Sequence, residues 1–279
     1  MKRILVPVDF SPTSKKAIKY ALDIASRDGG SVLLYHLYTA AKKPKSGLLI
    51  STEEYNKQLA LACLKKLKRL KKEVVKEASD VPVSTIIGRS PVVSNILKYS
   101  ERRHIDLIVM GTQGASGLKK ITIGSNASKV IEQSNIPVLL IPEKSQWKLP
   151  ENIVFTTAFK RTDRNALSIA FEYIRLYGAM VTFVNLENQG QKNYSDEGEN
   201  FETYAFSLQR EYTGSKIQFQ RLKTTSIVNT METLHAKIPY DMLMMARRKL
   251  SFLYRFFHKS FTKEMACITT QPLLVIPQK

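Results

Sequence analysis

The sequence predicts two tandem α/β domains, each a doubly wound sheet of five parallel strands flanked by helices. Three observations carry this. The chain contains one internal repeat; apolar runs of strand length alternate with helical periods inside each copy; and those runs are apolar throughout, as strands are when helices cover both sheet faces.

The repeat is read by laying "ILVPVDFSPTSKKAIKYALDIASRDGGSVLLYHLY", from Ile4, against "IVFTTAFKRTDRNALSIAFEYIRLYGAMVTFVNLE", from Ile153, at a constant offset of 149. Toward each copy's end the offset becomes 135, pairing "HIDLIVM" with "PYDMLMM" and "IPVLLIP" with "QPLLVIP". The second copy is therefore 14 residues shorter in its middle, where loops best tolerate deletion. The copies meet at "EKSQWKLPEN", a polar stretch between Pro142 and Pro150, giving expected domains at 1–145 and 150–279.

In the first copy, Ile4 to Val8 and Val32 to Leu37 read as strands, with a helix over Pro12 to Arg27 between them. Ser11 suits the N-cap, Pro12 the first helical position, and Gly29 and Gly30 the helix end. Strand, helix and strand at this spacing imply a right-handed crossover and a parallel sheet. The alternation continues with a helix near 52–78, a strand near 82–87, a helix near 91–103, a strand at 106–110, a helix near 125–134 and a strand at 137–141.

At 279 residues the chain suits two domains of ordinary size, and 43% hydrophobic residues fits a globular protein. No apolar run approaches the ~20 residues that span a bilayer. The N-terminal apolar run meets Asp9 too soon for a signal-peptide core, so a cytoplasmic location and no membrane contact are expected. Cys63 and Cys267 are far apart and lack metal-ligand spacing, and read as small hydrophobes. The net charge of +19 could attract nucleotides, nucleic acid or an anionic surface. Much of it lies in "LKKLKRLKKEVVKEA", where Leu59, Cys63, Leu67, Leu70 and Val74 form one helical stripe opposite the lysines. A solvated helix face accounts for that pattern; a nucleic-acid surface is the alternative.

The stretch that bears on function is "DLIVMGTQGASGLKKITIGSNASKVIEQSNIPVLLIP", Asp106 to Pro142. Gly111 stands at the carboxyl end of an apolar strand, the edge at which open α/β sheets bind ligands. Lacking Cβ, it can turn the backbone and bring N–H groups to a ligand. Gly124 and Ser125 open a helix whose unpaired N–H groups and positive dipole end suit a phosphate. A plain turn explains any one of these glycines. It explains less well the set of Gly111, Gly114 and Gly124, with a hydroxyl beside the last and strands on either side. The spacing is neither that of a P-loop nor that of the dinucleotide fingerprint. Asp9, directly after the first strand, can accept hydrogen bonds from a base or ribose, or cap the following helix turn.

At these residues the chain resembles the universal stress protein family. "GTQGASGLKKITIGS" matches that family's G-x2-G-x9-G-[ST] signature, and "ILVPVDFS", "LLYHLY" and "IPVLLIP" resemble its first, second and last strands. The resemblance spans nearly the whole chain in two Rossmann-like copies. It implies an ATP-binding stress-response protein, with Gly111, Gly114, Gly124 and Ser125 holding phosphates and ribose. It also implies Pro7, Val8 and Asp9 on the adenosine side, main-chain groups of Leu37 at adenine, and Met110 packed nearby. Gln113 occupies a variable position of the signature, and Asn126, in "NAS", departs from the family's commoner residues. His36 is expected to fill the core. The last strands of such domains pair about a two-fold axis, which implies an intramolecular pseudo-dimer here and allows a further homodimer.

The second copy has lost the pattern. Pro7 and Asp9 align with Thr156 and Ala158, and Gly111, Gly114 and Gly124 with Ala246, Lys249 and Lys259, leaving Ser260 alone of the cradle. Its stretch "ARRKLSFLYRFFHKSFTK" is basic and aromatic, which suits RNA or another polyanion, or else packs through Leu253, Phe256 and Phe257. No Ser–His–Asp arrangement is evident and none of the 4 histidines falls in the glycine motif, so a nucleotide-dependent switch or binding module is expected before an enzyme. The alternatives are slow ATP hydrolysis with Mg2+ and polyanion binding by the basic second copy.

Overall fold

A computed structural model describes residues 1–42, 51–77, 80–112, 124–157, 164–188, 201–224, 227–247 and 269–278. Among these the chain divides into two compact units that part between Ile136 and Pro137. Gln113, Gly114, Ala158, Lys249, Lys259, Ser260 and Cys267, and most of the basic aromatic stretch, lie outside the described residues.

The first unit holds β1 (Arg3–Pro7), α1 (Pro12–Asp28), β2 (Ser31–Tyr38), α2 (Thr52–Glu77), β3 (Val83–Arg89), α3 (Val92–Arg102), β4 (Leu107–Gly111) and α4 (Ser125–Gln133). Its strand order is β3-β2-β1-β4, with every recorded pairing parallel. The ends of α1 follow from sequence. Ser11 Oγ accepts the Ser14 N–H at 3.1 Å, Pro12 needs no donor there, and Gly29 closes the helix at φ 64°. Ala17, Ile18, Ala21, Leu22, Ile24 and Ala25 then bury one helical stripe, and α1 packs on β1, β2 and β4. On α2, Leu67, Leu70 and Val74 are buried and Leu59 and Cys63 half-buried, so the expected stripe faces inward with lysines outside.

The second unit holds β5 (Val138–Ile141), β6 (Asn152–Thr156), α5 (Arg164–Tyr177), β7 (Met180–Asn188), α6 (Phe201–Glu211), β8 (Ile217–Thr224), α7 (Ile227–Lys237), β9 (Met242–Arg247) and β10 (Leu273–Pro277). Its order is β5-β10-β9-β6-β7-β8, parallel except that β5 runs antiparallel to β10. The repeats thus meet in sequence near 145–150, whereas the compact units part before β5, because β5 hydrogen-bonds to β10. In that pair Leu139 faces Leu274, its counterpart in the repeat, with Val138 opposite Val275 and Leu140 opposite Leu273.

The duplication extends to individual hydrogen bonds. Val8 N–H donates to Tyr35 O at 2.9 Å and Thr157 N–H to Val184 O at 3.0 Å; Ser31 N–H donates to Lys2 O at 2.9 Å and Met180 N–H to Glu151 O at 2.8 Å. Ser134 Oγ and Thr269 Oγ1 close matching turns on Ile136 and Gln271. Core chemistry differs. Val6, Leu22 and Leu34 have aromatic counterparts in Phe155, Phe171 and Phe183, all buried, with Phe155 and Phe171 packed tilted against Phe183 at 5.5 and 5.9 Å between centroids. Among the described residues no helix is long and apolar enough to cross a membrane.

One duplicated feature is a strand-start carboxylate. Asp106 accepts Arg3 N–H at 2.7 Å; Asp241 accepts the N–H groups of Glu151 and Asn152 and the Lys148 ammonium, each at 3.0 Å. Burial pushes the Asp241 carboxyl up, but the Asn152 N–H, Lys148 and the Glu151 N–H together outweigh it and hold it below the ordinary carboxylate range. A depressed folded pKa stabilises above the unfolded value, and that contribution is lost as pH falls through the folded one. Asp241→Asn is therefore expected to flatten the acid limb of the stability curve below about pH 4, measured as urea midpoints against pH. An acid limb as steep as that of the wild type would refute this account.

Candidate nucleotide site

The carboxyl ends of β1, β2 and β4 open into one cavity. From β1 and the turn after it come Pro7, Val8 and Asp9; from β2, Tyr35 and Leu37; from β4 and the residue after it, Met110, Gly111 and Thr112. The start of α4 supplies Gly124, Ser125, Asn126 and Ala127, while Ser14 of α1 and Val92 and Ile96 of α3 complete the walls. Every sequence-predicted site residue among those described, nine positions from Pro7 to Asn126, lines this space.

The wall between β4 and α4 is built by backbone. Gly124 N–H donates to Thr112 O at 2.6 Å, which ties the end of β4 to the start of α4 across the glycine-rich segment. Gly124 is the N-cap of α4 at φ −60° and ψ 146°, and having no side chain it makes no side-chain cap of its own. Among the described residues no side chain accepts from the N–H groups of its first turn, and Ser125 and Asn126 are exposed beside them. That donor set, at the positive end of a helix dipole, fits an anion with several oxygens.

Gly111 has a role that the sequence reading did not assign. It lies within β4 rather than in a turn, and a Cβ there would fall 2.6 Å from Thr13 Cγ2 and 2.9 Å from Thr13 Cβ. Close packing of α1 on β4 excludes a side chain at this point. The expected sharp turn at Gly111 is therefore replaced by a packing requirement.

After β1, Asp9 is exposed and its Oδ1 accepts both the N–H of Ser11 at 3.0 Å and its hydroxyl at 2.6 Å. Of the two roles considered for Asp9, the cap of α1 falls to Ser11. Phe10, between them, adopts a left-handed φ of 64°. Its ring lies 4.5 Å from the His36 ring and under Lys66 Nζ at 4.2 Å. His36 is half-buried, and its Nδ1 lies 2.7 Å from Val8 O; a carbonyl only accepts, so Nδ1 carries the proton. Asn185 Nδ2 makes the equivalent bond to Thr157 O at 3.1 Å, which marks the interaction as structural in both repeats.

Six lining residues were not singled out from sequence. Tyr35 could have been, since it shares a strand face with Leu37 two residues on, and Val92 and Ile96 share a helical stripe. Burial pushes the Tyr35 phenol up, with Tyr99 adding to the shift, so at neutral pH it stays protonated. Gly88 makes room for it, because a Cβ there would come within 2.6 Å of Tyr35 Oη. Among the described residues no group of three or more His, Cys, Asp or Glu could hold a metal ion.

The sequence profile described as "Universal stress protein family" matches residues 1–142. The chain belongs to this family. Universal stress protein MJ0577 of Methanocaldococcus jannaschii is 31% identical over 156 residues, covering 52% of this chain and 96% of that protein. Universal stress protein MJ0531 of the same organism is 34% identical over 147 residues, covering 50% of this chain and 81% of that protein. A crystal structure of a universal stress protein from Archaeoglobus fulgidus aligns over 99% of this chain and 96% of its own, with a TM-score of 0.72 and 19% identity, a likeness of fold. The universal stress protein fold thus runs through both repeats, while the family profile matches the first.

Proposed function

We propose that the first repeat binds one ATP, with Mg2+ carried on the triphosphate, and that the protein acts as a nucleotide-dependent switch or binding module in a stress response. The observation that carries this reading is the convergence of Pro7, Val8, Asp9, Leu37, Met110, Gly111, Gly124, Ser125 and Asn126 on one cavity. The first turn of α4 receives the phosphates in this reading, and Gln113 and Gly114 belong to the same signature in sequence. Asp9 and the main chain of Leu37 receive the adenosine, whose base packs on Tyr35, Val92 and Ile96. A triphosphate brings its own oxygens to Mg2+, so no protein carboxylate cluster is required.

The second repeat supports no equivalent site in this reading. Ala246 puts a methyl group where Gly111 has none, and long side chains stand at Lys249 and Lys259. Its role is that of a fixed partner. The register in which Leu139 faces Leu274 is self-complementary, as in an isologous interface, and supports an intramolecular pseudo-dimer with domains at 1–145 and 150–279. Pairing of two chains into a larger assembly is compatible with this arrangement, and a cytoplasmic location suits a nucleotide ligand.

Calorimetric titration of the full chain with Mg·ATP tests the proposal. One site per chain is the expected stoichiometry. Two equivalent sites would contradict the assignment to the first repeat, and no heat with ATP or ADP would overturn the nucleotide reading itself.

A further inference from the structure

We infer that Ser11 is a positioning residue for the ligand: it fixes the Asp9 carboxylate at the wall of the cavity. The inference rests on the nucleotide-site reading above and adds to it a residue that does not line the cavity.

Asp9 is exposed in the turn between β1 and α1, and a carboxylate so placed would ordinarily sample several rotamers. Here Oδ1 receives two hydrogen bonds from one residue, the Ser11 N–H at 3.0 Å and the Ser11 hydroxyl at 2.6 Å. The same Oγ accepts the Ser14 N–H at 3.1 Å. A hydroxyl has one proton and two lone pairs, so it can give the proton to Asp9 and receive Ser14 at once. Ser14 returns its own hydroxyl proton to Ser11 O at 3.0 Å, and Ser14 lines the cavity.

The pivot is Phe10. Its left-handed φ of 64° curls the chain so that the backbone and side-chain donors of Ser11 reach one oxygen of Asp9. A bulky residue keeps that conformation when its surroundings fix it. The His36 ring at 4.5 Å and Lys66 Nζ at 4.2 Å hold the Phe10 ring from the side of β2 and α2. Ser11 is itself 6% exposed, so water competes little for its hydroxyl. Asp9 is thereby set before the ligand arrives, and the ligand does not bear the entropy of ordering it.

Helix capping and carboxylate positioning separate under substitution. Glycine is a serviceable N-cap, so Ser11→Gly should keep α1 while deleting the hydroxyl donor, and threonine supplies both functions. Calorimetry of the full chain with Mg·ATP is expected to show about a tenfold loss of affinity for Ser11→Gly, with near-wild-type affinity for Ser11→Thr. In an Asp9→Ala background Ser11→Gly should change affinity by less than about twofold, because the group it positions is gone. Wild-type affinity in folded Ser11→Gly, or losses that multiply independently of Asp9, would overturn the inference while leaving the nucleotide site standing. Wild-type affinity in Asp9→Ala would overturn both the inference and the assignment of Asp9 to the adenosine.

Discussion

Gly124→Val is expected to abolish measurable ATP binding, a loss of at least about a hundredfold, in a protein that remains folded. The backbone at Gly124, φ −60° and ψ 146°, lies in the region that β-branched residues favour, so glycine is not needed there for its conformational freedom. Valine retains the N–H that donates to Thr112 O, and as an N-cap it gives up roughly 1 kcal/mol relative to the preferred residues. What it adds is a branched Cβ at the mouth of the α4 N-terminus, in the volume assigned to phosphate. Circular dichroism and a thermal melt establish the fold, and calorimetry with Mg·ATP reads the binding. Wild-type affinity in the folded variant would remove the α4 cradle from the site.

Gly111→Ala is expected to act on stability first. The new methyl would stand 2.6 Å from Thr13 Cγ2, 2.9 Å from its Cβ and 3.3 Å from its backbone carbonyl carbon. Thr13 is buried in the first turn of α1, and its β-branch leaves few rotamers into which it could retreat. Overpacking of this kind costs about 1–3 kcal/mol, a fall of several degrees in melting temperature. Thr13→Ala removes the nearest atom and should recover part of the loss, making the pair non-additive. ATP affinity should fall with the shift, since Ser14 follows Thr13 and lines the cavity. A Gly111→Ala protein as stable as the wild type would show that α1 moves away from β4 without cost, against the close packing described for β4.

The two glycines look alike in sequence, and the structure separates them. Gly111 is required by a helix packed on a strand nearly a hundred residues earlier in the chain, a contact that local spacing does not encode. Gly124 has a φ of −60° that any residue adopts, so its backbone conformation does not call for glycine, and the proposed site is what gives its missing Cβ a purpose. Helix ends follow the same division. Ser11, Pro12 and Gly29 mark α1 in sequence because capping is local, whereas the second task of Ser11, at Asp9, depends on the left-handed Phe10 and the rings and ammonium around it.

By itself the sequence determined the duplication, the order of strands and helices, and the residues that gather at the β1, β2 and β4 edge. The duplication and the element order follow from periodicity and capping, which act over a few residues, and from a repeat that carries them twice; the edge residues follow from glycine spacing together with the resemblance to the universal stress protein family, which alone implies Pro7, Val8, Leu37 and Met110. The tertiary structure decided what depends on distant partners. It pairs β5 with β10 across the repeat boundary. It adds Tyr35, Val92 and Ile96 to the walls. It assigns Gly111 to packing against Thr13, and His36 and Asn185 to matching bonds on the β1 and β6 ends of the two repeats. Packing and hydrogen bonding join residues by where the folded chain brings them, and a position's neighbours in sequence carry little information about those in space.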